Sequence, residues 1–377
     1  MLLYLTYNDQ PSGVYWSQVT DVVEHLNTLG GSKVRLVALV SGRDFRSTRR
    51  AIKAHSPTAL VLPMVPTMQR WRMNTALVAW VCRLLRPTGI ICRGPFATWM
   101  ALRMRDRGST RKVCFDGRGA YAAEWEEYRI IDDDALIAQF RPLEQESVNA
   151  SDLRIAVSQA LVDHWRERYV YSGTAHVVIP CTLGKDVASP PNPSHPAPHP
   201  AHLATPTVRL VYSGSTAGWQ SFSRLKPLLT QVLDTQPNVQ VLFLSKRDAN
   251  NSALEAAYPG RVAVRWLDHA HVASALAECD YGIMVRERTI TNQVASPTKF
   301  AEYLASGLHV ITNEGLGDFS ALVKAHDLGL VVGEGGSLPE LKKVTAVERE
   351  RLRAFAMQHF TKQAHDASYR SLLNALS

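Results

Sequence analysis

The stretch YGIMV at residues 281–285, with SPTKFAEYLASG at 296–307 and HVIT at 309–312, decides how the second half of this chain folds. An apolar run, a loop, an amphipathic segment and a second apolar run are typical of a strand, a helix and a parallel strand. Ser296 is a favourable N-cap and Pro297 suits the first helical position, so the sequence predicts a helix that starts there and stops at Gly307. Its amino end should lie at the carboxyl edge of a parallel sheet.

Lys299 is unusual in the first turn of this helix, because the helix dipole favours an acidic residue there. An anion bound at the helix N-terminus would remove that conflict, and a diphosphate is such an anion. Glu302 follows on the same face, where its carboxylate could accept both hydroxyls of a ribose. A plain surface pair of Lys299 and Glu302 is the alternative reading.

The alternation of short apolar runs and helical stretches continues along the chain, as in parallel sheets covered by helices. Val19, Val22, Val23 and Leu26 recur at helical spacing between the first two apolar runs. The predicted strands are 2–6, 34–40, 59–64, 89–92, 113–116, 153–157 and 176–179 in the first half, and 208–213, 239–245, 262–265, 281–285, 309–312 and 329–332 in the second. We therefore predict an α/β protein with two doubly wound Rossmann-like domains that face a central cleft.

Domain boundaries follow from length and from proline. A chain of 377 residues exceeds the usual size of one core. Prolines crowd the segment from Pro190 to Pro206 and exclude regular structure there, so it should be a linker. Its His195, His199 and His202 are read as linker residues rather than as metal ligands. The predicted parts are domain 1–188, linker 189–206, domain 207–343, and helices over 344–377 that pack back on the first domain.

The composition of the chain indicates which partners and which cellular compartment to expect. The net charge of +8 suggests an anionic partner. The basic clusters at 43–50 and 103–112 lack interleaved aromatic residues, so we expect no nucleic acid, and leave open a solvated face or a peripheral contact with an anionic membrane. Five widely spaced cysteines favour a reducing compartment, and the opening segment reads as a strand rather than a signal peptide. We expect a cytoplasmic protein, with a peripheral position at the inner face of the membrane as the second option.

The segment from Ser296 to Ile311 resembles the donor-site motif of the retaining glycosyltransferases of family four. That resemblance implies a GT-B fold, a nucleotide-sugar donor, and a ribose contact for Glu302, which matches the second glutamate of the family's E-x7-E pattern. Val294 stands at the position of the first glutamate, and the subgroup with S-P-x-K-x-x-E-Y is the closer likeness. The resemblance also implies that domain 1–188 binds the acceptor and that domain 207–343 binds the donor, which would be a UDP-sugar or a GDP-sugar.

Further phosphate contacts are predicted in loops that follow strands of the second domain. Gly214 and Ser215 end the first of these strands, where a glycine lets backbone N–H groups approach a phosphate. Lys246 and Arg247 follow the next strand, and Arg286 follows the strand 281–285. An ordinary glycine-serine turn is the alternative at Gly214.

In the first domain, FDGRG at 115–119 resembles a stretch of some family-four relatives. Asp116 or Glu124 would orient or deprotonate the acceptor hydroxyl, and Arg118 would bind an anion of the acceptor. A structural ion pair of Asp116 and Arg118 is the alternative. The loop at 8–14 resembles the family's glycine-bearing loop, so Ser12, Gly13 and Tyr15 are predicted to face the acceptor.

Together these features predict a glycosyltransferase that acts on a glycan or lipid-linked acceptor in polysaccharide or glycoconjugate biosynthesis, with retention, no cofactor and no metal. Asp132, Asp133 and Asp134 form the only D-x-D-like run and are read as the acidic start of a helix. A non-catalytic sugar-nucleotide-binding subunit, suggested by Val294, and a sugar-nucleotide epimerase of the same fold remain alternatives. A dinucleotide-dependent oxidoreductase is disfavoured, because no G-x-G-x-x-G follows a predicted strand.

Overall fold

The computed structural model describes residues 1–185, 187, 207–214 and 222–377, with only the backbone of His269 and Ala270. The predicted linker 189–206, including its three histidines, lies outside the described residues. The chain divides into two compact units. The first comprises Met1–Gly184, Val294–Ser296 and Lys362–Ser377, and the second comprises Lys185–Gln293 and Pro297–Thr361.

A seven-stranded parallel sheet forms the centre of the first unit, in the order β3-β2-β1-β4-β5-β6-β7. Its strands are β1 (Leu2–Tyr7), β2 (Val34–Val40), β3 (Leu60–Pro63), β4 (Gly89–Arg93), β5 (Lys112–Gly117), β6 (Leu153–Ala156) and β7 (His176–Val178). Leu2 of β1 pairs with Val34 on one side and with Gly89 on the other. All six residues of β1 are buried, as expected of a central parallel strand covered on both faces.

The second unit contains a six-stranded parallel sheet in the order β10-β9-β8-β11-β12-β13. Its strands are β8 (Val208–Ser213), β9 (Val239–Leu244), β10 (Val262–Arg265), β11 (Tyr281–Met284), β12 (His309–Asn313) and β13 (Gly329–Val332). Every predicted strand is found in one of the two sheets, with each end within one residue of the predicted position. The predicted fold class of two Rossmann-like α/β domains is confirmed.

Helices connect consecutive strands in both units. They are α1 (Gly13–Tyr15), α2 (Asp21–Thr28), α3 (Phe45–His55), α4 (Thr75–Leu85), α5 (Gly94–Asp106), α6 (Tyr121–Tyr128), α7 (Asp134–Ala150), α8 (Gln159–Tyr169), α9 (Phe222–Thr235), α10 (Ala249–Ala257), α11 (His269–Ala277), α12 (Ile290–Gln293), α13 (Thr298–Ala305), α14 (Phe319–Ala325), α15 (Ala346–Phe360) and α16 (Asp366–Leu376). A π-helical segment, Trp16–Thr20, precedes α2, and 3-10 segments cover Met68–Asn74 and Gln363–His365. Within the described residues, no helix has the length and apolar character needed to cross a bilayer.

Two cores flank the first sheet. One face is covered by α2 and α16, which bury Val19, Leu26, Tyr369 and Leu376 together with β1 and β2. The other face is covered by α4, α5 and α7. The C-terminal segment 344–377 is divided between the units at Thr361: α15 packs on α13 of the second unit, whereas α16 belongs to the first.

The start of α13 differs from the prediction. The helix begins at Thr298, and Pro297 is its N-cap, with an extended ψ of 129°. The Ser296 hydroxyl does not cap the helix, because it accepts a hydrogen bond from the backbone N–H of Cys181 at 2.9 Å. The end of the helix is as predicted, since Gly307 follows with a φ of +79°, the left-handed conformation that favours glycine.

Candidate functional site

A pocket lies at the carboxyl ends of β8 and β11 in the second unit. The strand order reverses between these neighbours, because β9 and β10 extend from β8 while β12 and β13 extend from β11. Open parallel sheets bind ligands at such a switch point. The pocket is lined by Tyr212, Ser213, Ile283, Met284, Val285, Arg286 and Lys299.

Tyr303 of α13 holds the two strands together beneath this pocket. Its hydroxyl accepts a hydrogen bond from the Ser213 backbone N–H at 3.0 Å and donates to the Ile283 carbonyl at 3.4 Å. The fully buried Tyr303 ring packs against Gly282, where a Cβ atom would lie 2.3 Å from a ring carbon. The glycine in YGIMV is therefore required by the close approach of the α13 ring to β11.

The pocket holds two cations with little solvent around them. Arg286 is 8% exposed; its backbone N–H donates to Asn313 Oδ1 at 2.8 Å, and its Nη1 donates to Asn292 Oδ1 at 3.3 Å. The pKa of Lys299 is lowered from 10.5 to about 7, first by burial and second by the charge of Arg286, while Glu302 opposes the shift. An unoccupied pocket therefore disfavours the charged form of Lys299, and an anion would favour it.

The amino end of α13 adds to this positive potential. Its N-cap residue, Pro297, makes no side-chain capping hydrogen bond, and no acidic residue lies in its first turn. Lys299 lies in that first turn, and its Nζ is 5.9 Å from the centre of the Tyr212 ring. Of the two predicted residues, Lys299 lines the pocket, whereas Glu302, partly buried and three residues further along α13, is not among the lining residues.

The other predicted phosphate contacts are placed differently. The backbone N–H of Gly214 donates to the Leu244 carbonyl at 3.2 Å, so it is engaged within the sheet. Ser215 lies outside the described residues. Arg247 forms an ion pair with Glu255 on the surface, and Lys246 Nζ lies 5.3 Å from the centre of the exposed Trp266 ring. Neither of these two cations lines the pocket: Arg247 pairs with a residue of α10, and Lys246 lies against a tryptophan that follows β10.

Val294 and Ser296 belong to the first unit rather than to the second. Val294 is 3% exposed and packs with Phe115 and Trp165 in an apolar core, and its carbonyl accepts a hydrogen bond from Ser158 Oγ at 2.7 Å. The position that carries the first glutamate in the resembling family is therefore a core position here. Ser296 is 7% exposed, and its hydroxyl already accepts the hydrogen bond from the Cys181 backbone N–H.

A buried charge cluster lies at the corresponding switch point of the first unit, where the strand order reverses between β1 and β4. Its centre is Asp116, which is 2% exposed and accepts a short hydrogen bond from the Tyr4 hydroxyl. Arg118 Nη1 lies 3.4 Å from Asp116 Oδ1, and Arg93 Nη1 lies 3.9 Å from Asp116 Oδ2. Arg93 Nε is also 3.6 Å from Asp9 Oδ1. The ion pair of Asp116 and Arg118, the alternative left open by the sequence, is present.

Arg118 is further fixed by Gln18, whose Oε1 accepts from Arg118 Nη2 at 2.7 Å. Burial alone would lower the pKa of Arg118, but Asp116 beside it raises that pKa above its ordinary value. Among the described residues, Arg118 Nε and Arg93 Nη1 are buried without a hydrogen-bond partner. Two buried guanidinium N–H groups at this switch point therefore lack an acceptor, which is uncommon in folded proteins.

Glu124 and Glu144 are the two carboxyl groups near α6 whose protonation is shifted. The pKa of Glu124 is raised to about 7, mainly by burial and to a smaller extent by the nearby Glu127. Burial also raises the pKa of Glu144 to about 7, although hydrogen bonds from the backbone N–H groups of Tyr121 and Ala122 and from the Tyr169 hydroxyl oppose the shift. Glu144 therefore caps α6 from within the core, whereas Glu124 is partly exposed.

The predicted acceptor loop forms α1. Ser12 is exposed and precedes the helix without a side-chain capping bond, and Gly13 is partly exposed. Tyr15 is 3% exposed and packs in the first core, and its hydroxyl has no hydrogen-bond partner among the described residues. Tyr15 is thus a core residue of the first unit with one buried polar atom.

The acidic run is a helix cap, as predicted. Asp133 Oδ1 accepts from the backbone N–H of Leu136 at 3.0 Å and caps α7. Within the described part of the chain, no group of three or more His, Cys, Asp or Glu residues could hold a metal ion. The five cysteines are all free thiols.

Sequence reasoning missed Tyr4, Asp9 and Arg93, which complete the buried charge cluster. Arg93 directly follows an apolar strand, and Asp9 lies in the loop after β1. The carboxyl ends of neighbouring parallel strands meet at one edge, so charges in these places are a usable signal. The sequence does not reveal the strand order. In the structure β1 and β4 are neighbours, although more than eighty residues separate them in the chain.

Comparison with known proteins gives the fold. No protein-family model matches the chain, and no curated protein sequence matches it. Solved structures do match over the whole length. Sucrose-phosphate synthase from Thermosynechococcus elongatus has a TM-score of 0.66 at 14% identity, with 100% of this chain and 98% of that chain covered. HepE from Anabaena in complex with UDP has a TM-score of 0.69 at 11% identity, with 99% of each chain covered. A putative UDP-N-acetylglucosamine 2-epimerase from Listeria monocytogenes has a TM-score of 0.54 at 11% identity, with 98% of this chain and 90% of that chain covered.

The class defined by these likenesses is the GT-B fold, two Rossmann-like domains in one chain. At 11% to 14% identity the likeness concerns the fold and not the reaction. The predicted GT-B architecture is confirmed, and the reaction has to be argued from the two switch-point sites.

Proposed function

We propose that this chain is a glycosyltransferase that moves a sugar from a UDP- or GDP-sugar to a hydroxyl of a glycan or lipid-linked acceptor. We further propose that transfer occurs with retention and without a metal ion, as the resemblance to family four implies, in polysaccharide or glycoconjugate biosynthesis. The observation that carries the proposal is the pair of desolvated cations, Arg286 and Lys299, at the switch point of the second unit.

These cations suit a diphosphate. In a pocket with a second cation and a helix N-terminus, the charged form of Lys299 is disfavoured until an anion binds, and its pKa is lowered accordingly. During glycosyl transfer the bond from the anomeric carbon to the diphosphate breaks, and negative charge accumulates on the diphosphate. Positioned N–H groups and cations stabilise that charge most strongly where water is excluded. Glu302, one turn into α13, is assigned to the ribose hydroxyls.

The acceptor is assigned to the first unit. Glu124, with a pKa near 7, is suited to take the proton of the acceptor hydroxyl as that oxygen bonds to the anomeric carbon. Asp116 is held by Tyr4 and Arg118, so its assigned role is to orient groups rather than to exchange protons. The buried N–H groups of Arg93 and Arg118 are assigned to oxygen atoms of the acceptor.

A thermal-shift screen of UDP, GDP and their sugar conjugates tests donor binding. Wild-type protein should be stabilised by one nucleoside diphosphate, and Lys299→Gln and Glu302→Gln should lose most of that shift. Lys342→Gln, which removes an exposed lysine of the same unit, is the matched control and should keep it. If no nucleotide raises the melting temperature of the wild type, or if both pocket variants bind like the control, the donor site is refuted.

An epimerase is the second candidate, because the Listeria epimerase shares the fold. An epimerase converts a sugar nucleotide without an acceptor, whereas a transferase consumes it only when an acceptor is supplied. Product analysis with and without acceptor glycans separates the two. The third alternative, a binding subunit, is favoured by the core position of Val294 and requires nucleotide binding with no turnover in either assay.

A further inference from the structure

The net positive charge of this protein comes from one segment of the chain. Residues 45–105 contain eleven of the 42 Lys and Arg residues and none of the 34 Asp and Glu residues. The remainder of the chain therefore has 31 basic and 34 acidic residues and is slightly acidic. Because this segment lies entirely within the first unit, the charge imbalance belongs to that unit alone.

Within this segment α4 has an apolar face toward solvent as well as toward the core. Val78, Val81 and Cys82 are buried, as a surface helix requires. On the outer side, Trp80 is 52% exposed and Leu84 is 62% exposed, and Met73 in the preceding 3-10 segment is 58% exposed. These three residues are spaced by seven and four positions and share one side of the helical path.

Arginines border this apolar face. Arg72, Arg83 and Arg86 are exposed on the same segment, and no acidic residue of the segment neutralises them. A stripe of tryptophan and aliphatic side chains with flanking arginines is the pattern of a helix that lies in the interface of an anionic bilayer. Tryptophan in particular favours the headgroup level of a membrane.

We propose that the outer face of α4, formed by Met73, Trp80 and Leu84 with Arg72, Arg83 and Arg86, docks this protein on an anionic lipid bilayer. Helix α3 carries Arg46, Arg49, Arg50 and Lys53 but covers the opposite face of the sheet, and none of its residues is an exposed large hydrophobic one. It therefore adds long-range attraction, whereas α4 supplies the contact.

Two other occupants fit less well. A second copy of the chain would bring the same arginines face to face in a symmetric contact, which is repulsive. Single-stranded nucleic acid binds through a series of aromatic residues on which its bases stack, and Met73 and Leu84 cannot serve that purpose. An anionic bilayer satisfies both the apolar and the charged part of the face.

The test is co-sedimentation of the full chain with vesicles of phosphatidylcholine containing phosphatidylglycerol, or of phosphatidylcholine alone. Wild type should bind only the anionic vesicles. Arg83→Gln/Arg86→Gln should weaken partitioning roughly 30-fold, because each arginine near such a surface contributes about a factor of five. Trp80→Ser/Leu84→Ser should weaken it by about tenfold or more.

Matched controls come from the second unit. Trp266→Ser removes an equally exposed tryptophan, and Arg265→Gln/Lys342→Gln removes two exposed charges; both should bind vesicles like the wild type. Quenching by brominated lipid should affect wild type and be reduced in Trp80→Phe. Circular dichroism melting confirms that the α4 variants are folded, which is expected because the replaced side chains face solvent.

The proposal is independent of donor binding, since vesicle binding and nucleotide-induced thermal shifts are measured separately and report on different units. The proposal is overturned if the wild-type protein does not bind anionic vesicles. It is also overturned if both α4 double variants bind them as well as the wild type does. Equal binding to phosphatidylcholine alone overturns the assigned role of the arginines. Self-association that disappears in Trp80→Ser/Leu84→Ser, in a protein that does not bind vesicles, would overturn the proposal and assign the face to a second copy. Nucleic-acid binding that is lost in that variant, again without vesicle binding, would overturn the proposal in favour of nucleic acid.

Discussion

Binding of a nucleoside diphosphate should take up a proton through Lys299. Burial holds the pKa of this amine at about 7 instead of 10.5, so at pH 8 only about one molecule in ten carries the charge before binding. An anion in the pocket should return the pKa toward its ordinary value. We therefore expect UDP binding at pH 8, where the phosphates are already fully ionised, to take up about 0.9 proton. The size of this uptake is an upper limit if the bound pKa is restored only in part.

The affinity follows from the same linkage. Between about pH 7.5 and 9.5 the phosphates are already fully ionised, so their own titration does not contribute. Over this window the dissociation constant of UDP should rise by up to about tenfold per pH unit, or roughly 100-fold in all, which is about 2.7 kcal/mol. Isothermal titration calorimetry in two buffers of different ionisation enthalpy measures both the uptake and the affinity.

Two variants separate Lys299 from other groups. Lys299→Arg keeps a permanent charge, so it should bind UDP with no proton uptake and with little pH dependence. Lys299→Gln should bind weakly at every pH. Burial lowers the pKa of Lys362 in the first unit to about 8, so this lysine also titrates in the window. A slope that persists in Lys299→Arg would assign the effect to another group and refute the reasoning.

Three predictions concern stability. Gly282→Ala should destabilise the fold by roughly 1–3 kcal/mol, because its Cβ would meet the Tyr303 ring at 2.3 Å; an unchanged urea midpoint would contradict this. Asp133→Ala should cost about 1 kcal/mol through loss of the α7 cap, and Asp133→Asn should restore most of it in the same denaturation assay. Glu144 has a folded pKa raised from 4.5 to about 7, so wild-type stability should fall as pH rises from 4.5 to 7, by up to about 3 kcal/mol relative to Glu144→Gln; parallel pH profiles of the two proteins would contradict this.

The strands were predictable because each is a short apolar run that local sequence alone marks. The start of α13 was not, since Ser296 satisfies every local rule for an N-cap but forms its hydrogen bond with Cys181, more than one hundred residues away. Local capping rules cannot foresee such a competing partner. For the same reason Val294 could be recognised as a departure from a motif but not as a core residue, because its neighbours Phe115 and Trp165 come from other parts of the chain.

In the candidate site, too, features that depend on local sequence could be predicted, whereas features that depend on distant parts of the chain could not. The position of Lys299 at a pocket could be predicted, because a lysine in the first turn of a helix is unfavourable beside the helix dipole wherever that helix lies. The ribose contact of Glu302 stays a prediction. Arg93 and Asp9 were not, since their importance arises only when β1 and β4 become neighbours. Lys246 and Arg247 show the same dependence on strand order. Both follow a strand of the same sheet but do not line the pocket, and β9 lies on the far side of β8 from β11.

The two sets of cations in this chain differ in solvation, and that difference predicts how each responds to salt. Lys299 and Arg286 are largely desolvated, so their interaction with a bound diphosphate is only weakly screened. Arg83 and Arg86 are exposed, and their attraction to a bilayer acts through water over a Debye length of about 8 Å at physiological salt. Raising the salt concentration should therefore release the protein from anionic vesicles while nucleotide binding is largely kept. Because Arg83 and Arg86 lie in the first unit and Lys299 in the second, loss of one activity with retention of the other requires no unfolding of either unit.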